Sequence, residues 1–135
     1  MKEVARQMIK HWHMTDVDWM GYILEPKEYF SFHHLIIPKR DGGKMSEQNG
    51  AILISQSSHP YLHLIETKER LMFEEITWLL IEINQQRCMP TKQQLIEINN
   101  ILKRFEKIYG GEKTYKGELL IKERYLRRMY NKWQK

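Results

Sequence analysis

Cysteine occurs once in these 135 residues, as Cys88, and that excludes an intramolecular disulfide and any zinc ribbon built from several thiolates. A metal ion held by this chain must therefore be ligated by histidine or carboxylate. Cys88 lies between an apolar run and Pro90, where a plain packing role is expected. No run approaches the roughly 18 apolar residues that span a bilayer, and the N-terminus lacks the basic, apolar and small-residue succession of a secretory leader. A cytoplasmic protein is expected. Internal repeats and low-complexity stretches are also missing. The hydrophobic fraction of 41% and charged fraction of 29% suit one globular domain with one core.

The formal charge of +5 is unevenly placed. From Lys116 to Lys135 seven basic residues face only Glu118 and Glu123, so this segment carries the whole excess. Tyr125, Tyr130 and Trp133 are interleaved with it. Such a segment suits a polyanion, because phosphate neutralisation supplies non-specific affinity and aromatic faces stack on bases. Arg124, Arg127 and Arg128 are then candidate nucleic-acid contacts. The alternative is a solvated amphipathic helix, from about Gly117 to Trp133, whose aromatics face the core.

Hydrophobic spacing organises the rest. Val4, Met8, Ile9 and Trp12 form a helical stripe. Residues 29–37, YFSFHHLII, read as a strand that ends at Pro38, with a polar Gly-containing loop after it. Residues 50–54, GAILI, complete a hairpin with a long connection. Ser57-Ser58-His59-Pro60 predicts a helix start, with a serine accepting from the free amides and Pro60 in the first turn. The apolar run then continues to Arg87 with only TKER interrupting it, as one long helix or two abutting ones. Thr91 to Gln94 fits a capping box, and Leu95, Ile98, Leu102, Phe105 and Tyr109 recur at helical spacing up to Gly110-Gly111.

Four of the six histidines fall between residues 33 and 63, in the order strand, loop, strand, helix start. Adjacent strand residues point to opposite sides, so His33 and His34 cannot do the same job. His59 and His63 are four apart on one helix, a spacing that offers two nitrogen ligands to one ion. If the hairpin packs on that helix, His33 completes a set of three. His11 and His13 are left without a role.

The segment from His33 to His63, HHLIIPKRDGGKMSEQNGAILISQSSHPYLH, resembles the HNH or ββα-metal motif of nucleases, in the HH...N...HxxxH form seen in DNase colicins and pyocins. The resemblance implies an α+β chain: a ββα-metal core at residues 29–66, a helical segment at 1–28, and a helical extension at 67–135. It implies that His33, His59 and His63 bind one divalent metal ion (Mg, Mn, Ni or Zn), that His34 is the general base, and that Asn49 is the middle asparagine. The activity implied is hydrolysis of DNA phosphodiester bonds. One departure stands out, since Tyr29 to Phe32 contain no acidic residue, and a supplementary carboxylate must come from elsewhere, with Asp41 and Glu66 as candidates.

The chemistry agrees with that reading. Phosphodiester cleavage needs an activated water, a cation for the charge that builds on phosphate oxygens, and contacts that place the backbone. An unperturbed imidazole, with a pKa of about 6.5, accepts a proton at neutral pH. Asn49 is suited to tying the loop back and holding His34 in orientation. Lys39, Arg40 and Lys44 around Gly42-Gly43 are candidate phosphate contacts. Two other readings stay open: a non-cleaving HNH scaffold that binds nucleic acid or a protein partner, as an inhibitor or accessory protein of a phage or mobile element, and a purely structural zinc site.

Overall fold

The computed structural model describes residues 2–36, 42 and 45–109, and within them the chain is of the α+β class. Helix α1 spans Glu3–His11, strands β1 and β2 span Phe30–His34 and Gly50–Ile54, and helices α2, α3 and α4 span Ser58–Lys68, Arg70–Gln86 and Lys92–Tyr109. A 3-10 turn, Glu47–Asn49, leads into β2. None of these helices is long and apolar enough to cross a membrane.

The two strands are antiparallel, with Phe30 opposite Ile54, Phe32 opposite Ile52 and His34 opposite Gly50. Every residue of β2 is buried, which accounts for its unbroken apolar run: the strand packs against α1, α2 and α3. Its outer edge is covered by the loop that follows α1. There Trp19 donates its backbone N–H to the Ile52 carbonyl at 3.3 Å, and Asp18 Oδ2 accepts from the Ile54 N–H at 3.2 Å. The N-terminal stripe buries Met8 and Trp12, and the Trp12 indole stacks at 5.4 Å on Trp19 while donating to the Ile83 carbonyl at 3.1 Å.

The apolar stretch from residue 58 to 87 is two helices rather than one, because Glu69 leaves helical geometry (φ −143°, ψ 80°) at the charged TKER interruption. The Tyr109 hydroxyl, on α4, donates to the Lys68 carbonyl there at 3.1 Å, so this aromatic clasps the α2–α3 junction from the surface instead of entering the core. The α4 stripe otherwise buries Leu95, Ile98, Leu102 and Phe105, with Ile101 beside them. Its capping box is reciprocal: the Gln94 N–H donates to Thr91 Oγ1 at 3.1 Å and the Thr91 N–H to Gln94 Oε1 at 2.9 Å.

Two local expectations are corrected. Ser57 makes no side-chain capping bond. Ser58 is drawn inward instead, accepting from the Ile54 N–H at 2.9 Å and donating to the Asp18 carboxylate. Cys88 does not pack. Arg87 turns into the left-handed region (φ 54°), which swings residue 88 to the surface and sends Met89 against the core.

Candidate metal centre

Strand parity and helical spacing bring three histidines together. On β1, Ser31 and His33 face α2, where His59 and His63 stand one turn apart. The ring centroids form a nearly equilateral triangle: His33 to His59 is 5.2 Å, His33 to His63 is 5.3 Å, and His59 to His63 is 5.1 Å. One nitrogen from each ring lies within 4.8 Å of the other two, close enough to hold a single metal ion.

The hydrogen bonds around the triangle suit that use. His59 Nδ1 lies 2.7 Å from Ser31 Oγ, and the Ser31 hydroxyl donates to the Leu53 carbonyl at 3.2 Å. With its proton committed to Leu53, the hydroxyl accepts from Nδ1–H, and that tautomer leaves the His59 Nε2 lone pair to the site. At His63, Nδ1 lies 3.2 Å from Glu66 Oε1, so the carboxylate fixes the same tautomer. Glu66 is itself paired with Arg70 at 3.2 Å. His33 Nε2 is buried without a hydrogen-bond partner. A lone pair so placed costs desolvation energy unless a cation or proton meets it. Two oriented imidazoles and one buried orphan nitrogen fit a first-row divalent ion.

Burial and neighbouring imidazoles favour the neutral forms of His33 and His59. Burial first, then the neighbouring His59, His63 and His34, holds His33 well below the ordinary imidazole value. Burial, then His63 and His34, pushes His59 down to about 4. Protons therefore compete weakly with a metal at these two positions.

His34 lies on the other face of β1, edge-on to Phe32 at 4.9 Å, yet borders the same open cavity of about 970 Å³ as the three clustered histidines. Two features hold it there. The Phe32 ring occupies the space over Gly50, where a Cβ would stand 2.0 Å from ring carbon Cε2, so only glycine admits it. Asn49 Oδ1 accepts from the Ile36 N–H at 2.8 Å, and the Asn49 carbonyl from the Leu35 N–H at 2.9 Å, closing the base of the loop just after His34. Asn84, on α3, anchors this turn from behind by donating to the Glu47 and Gly50 carbonyls at 2.6 and 2.7 Å. His11 also reaches the turn, bonding the Glu47 carboxylate, with Arg87 3.5 Å from its other oxygen.

Glu66 thus stands beside the site, whereas Asp41, Lys39, Arg40, Lys44, Arg124, Arg127, Arg128 and the proposed C-terminal helix lie outside the described residues. Ser31 and Asp18 were not singled out by sequence. Ser31 had a signal, since it sits two residues before His33 and therefore on the same strand face. Asp18 had none. It is fully buried and collects the N–H groups of Met20 and Tyr22, each at 2.9 Å, as well as the Ile54 N–H and the Ser58 hydroxyl. It ties the start of the histidine-bearing helix to the N-terminal loop. No protein family, curated protein or solved structure matches this chain.

Proposed function

We propose that the chain is a metal-dependent endonuclease of the HNH type, with a ββα-metal core formed by β1, β2 and α2, that hydrolyses DNA phosphodiester bonds. The observation that carries this is the convergence of His33, His59 and His63 on one point, with His34 bordering the same cavity from the opposite strand face. His33, His59 and His63 would hold the ion, oriented by Ser31 and Glu66. When bound, the ion supplies Lewis-acid charge for the phosphate and the leaving oxygen. His34 takes the proton of the attacking water on an imidazole nitrogen. Asn49 keeps the segment after His34 in place through Ile36. Lys39, Arg40, Lys44, Arg124, Arg127 and Arg128 are proposed to contact phosphates.

The open cavity over the imidazoles favours catalysis over a structural zinc, because a structural site closes its fourth position with protein. Incubating supercoiled plasmid with the purified protein and Mg, Mn, Ni or Zn tests the proposal. Nicking with at least one ion and none in EDTA is expected, and no cleavage of plasmid or of single-stranded DNA with any ion would overturn it.

A further inference from the structure

We infer that the cleft over the three imidazoles receives a single strand of nucleic acid, with bases lying against Trp78 and Tyr29. The inference rests on the nuclease reading above and narrows its substrate class. Among the described residues seven large apolar side chains stand exposed, and four of them, Tyr29, Ile36, Met45 and Trp78, border the one cavity that also contains the histidines. Trp78 is 68% exposed and Tyr29 is 56% exposed. Tyr29 precedes β1 and Ile36 follows it, so the apolar rim continues to both sides of His33 along the strand. Apolar surface gathered around a polar reaction site marks an occupant that brings apolar faces of its own.

Exposed base faces distinguish the kinds of nucleic acid. A duplex presents phosphates and base edges and hides its base faces in the stack. A single strand instead offers unstacked base faces, which open indole and phenol rings bind with little sequence preference. The two open aromatic faces therefore match a single strand, with its phosphate directed to the histidines of the same cavity.

The test is fluorescence anisotropy in EDTA, where turnover is stopped, with a labelled oligothymidylate and a labelled hairpin duplex as probes. Trp78→Ala and Tyr29→Ala are each expected to weaken oligothymidylate binding about 5- to 100-fold while duplex binding stays within about twofold. Both side chains are exposed, so the variants fold. Leu71→Ala, equally exposed on α3 but away from the cavity, should bind as the wild type does. Unchanged oligothymidylate binding in both variants, or an equal loss for both probes, would overturn the inference and leave the rim to a protein partner. Cleavage of plasmid and of unlabelled oligothymidylate, assayed separately with each metal, keeps the two readings apart. Metal-dependent nicking with normal single-strand binding by Trp78→Ala rejects the single-strand inference alone. Rim-dependent binding with no cleavage under any metal rejects the nuclease reading alone.

Discussion

Ser31 Oγ sits 2.7 Å from His59 Nδ1, two strand positions before His33, so one face of β1 supplies both a member of the histidine triangle and the group that orients another. Removing such an orienting partner commonly lowers metal affinity by roughly 10- to 100-fold. Ser31→Ala is expected to do so for Zn in a calorimetric titration, with little change in the melting temperature of the metal-free protein. Ser31→Thr keeps the hydroxyl on a residue suited to a strand and should restore the affinity. Failure of the threonine variant to bind better than the alanine variant would remove Ser31 from the site.

Acid should act on the metal-free protein through opposing groups. His59 is held down at about 4, so its neutral form favours folding above about 6.5, and this contribution is lost as pH falls through 4. The shift corresponds to about 3 kcal/mol. His33 adds to the loss with the same sign. Asp18, pushed up to about 6 chiefly by burial, behaves in the opposite sense: its contribution is full below about 3.8 and declines as pH rises through 6. Acidification from pH 6.5 to 4 should therefore destabilise the EDTA-treated protein, with Asp18 offsetting part of the loss. Asp18→Asn removes that offset. Urea melts of the variant should show a steeper fall over this window, on top of a lower stability at pH 7 from carboxylate hydrogen bonds lost, about 1–3 kcal/mol. Parallel pH profiles for the two proteins would show that Asp18 does not titrate here.

Gly50 is required by its neighbour and not by its own backbone, which is extended at φ −144°. Gly50→Ala places a methyl group against the Phe32 ring, and overpacking of this kind costs about 1–3 kcal/mol. Because Phe32 packs edge-on to His34, the displacement passes to that imidazole. Thermal melts should show the loss of stability, and nicking should fall more than metal affinity does.

The histidine arrangement was legible because both of its spacings are local: parity separates His33 from His34, and four residues of helix align His59 with His63. Thr91 and Gln94 were legible for the same reason, being a three-residue exchange of hydrogen bonds. Long-range polar pairing leaves no such trace. Asp18 and Ser58 meet across 40 positions, and nothing near either of them announces it. The same pairing turned a serine expected to cap α2 into a bridge between layers. At Cys88 the apolar neighbours suggested packing, but the left-handed turn at Arg87, which decides the direction of the side chain, is not a property of composition. Basic charge was equally visible, yet the segments that carry it lie outside the described residues, so the sequence remains the basis for assigning Arg124, Arg127 and Arg128 to phosphates.

Under the proposed function the two adjacent histidines have different roles. His33 supplies a buried, unpartnered Nε2 to the triangle, and His34 stands on the opposite strand face beside Phe32. His33→Ala removes a ligand, so metal affinity and nicking should fall together. It also removes a buried imidazole whose lone pair lacks a partner, and the metal-free protein should lose little stability as a result. His34→Ala should leave Zn affinity within about threefold, because the ion keeps all three ligands, while nicking falls by roughly two to four orders of magnitude, the usual contribution of a general base. Asn49→Ala, which deprives the Ile36 N–H of its acceptor, should resemble His34→Ala in direction with a smaller loss. Calorimetry and plasmid nicking run side by side on the three variants distinguish the roles. Lost metal in His34→Ala would exchange the assignments of the two histidines, and unchanged nicking in His34→Ala would place the base elsewhere in the cavity.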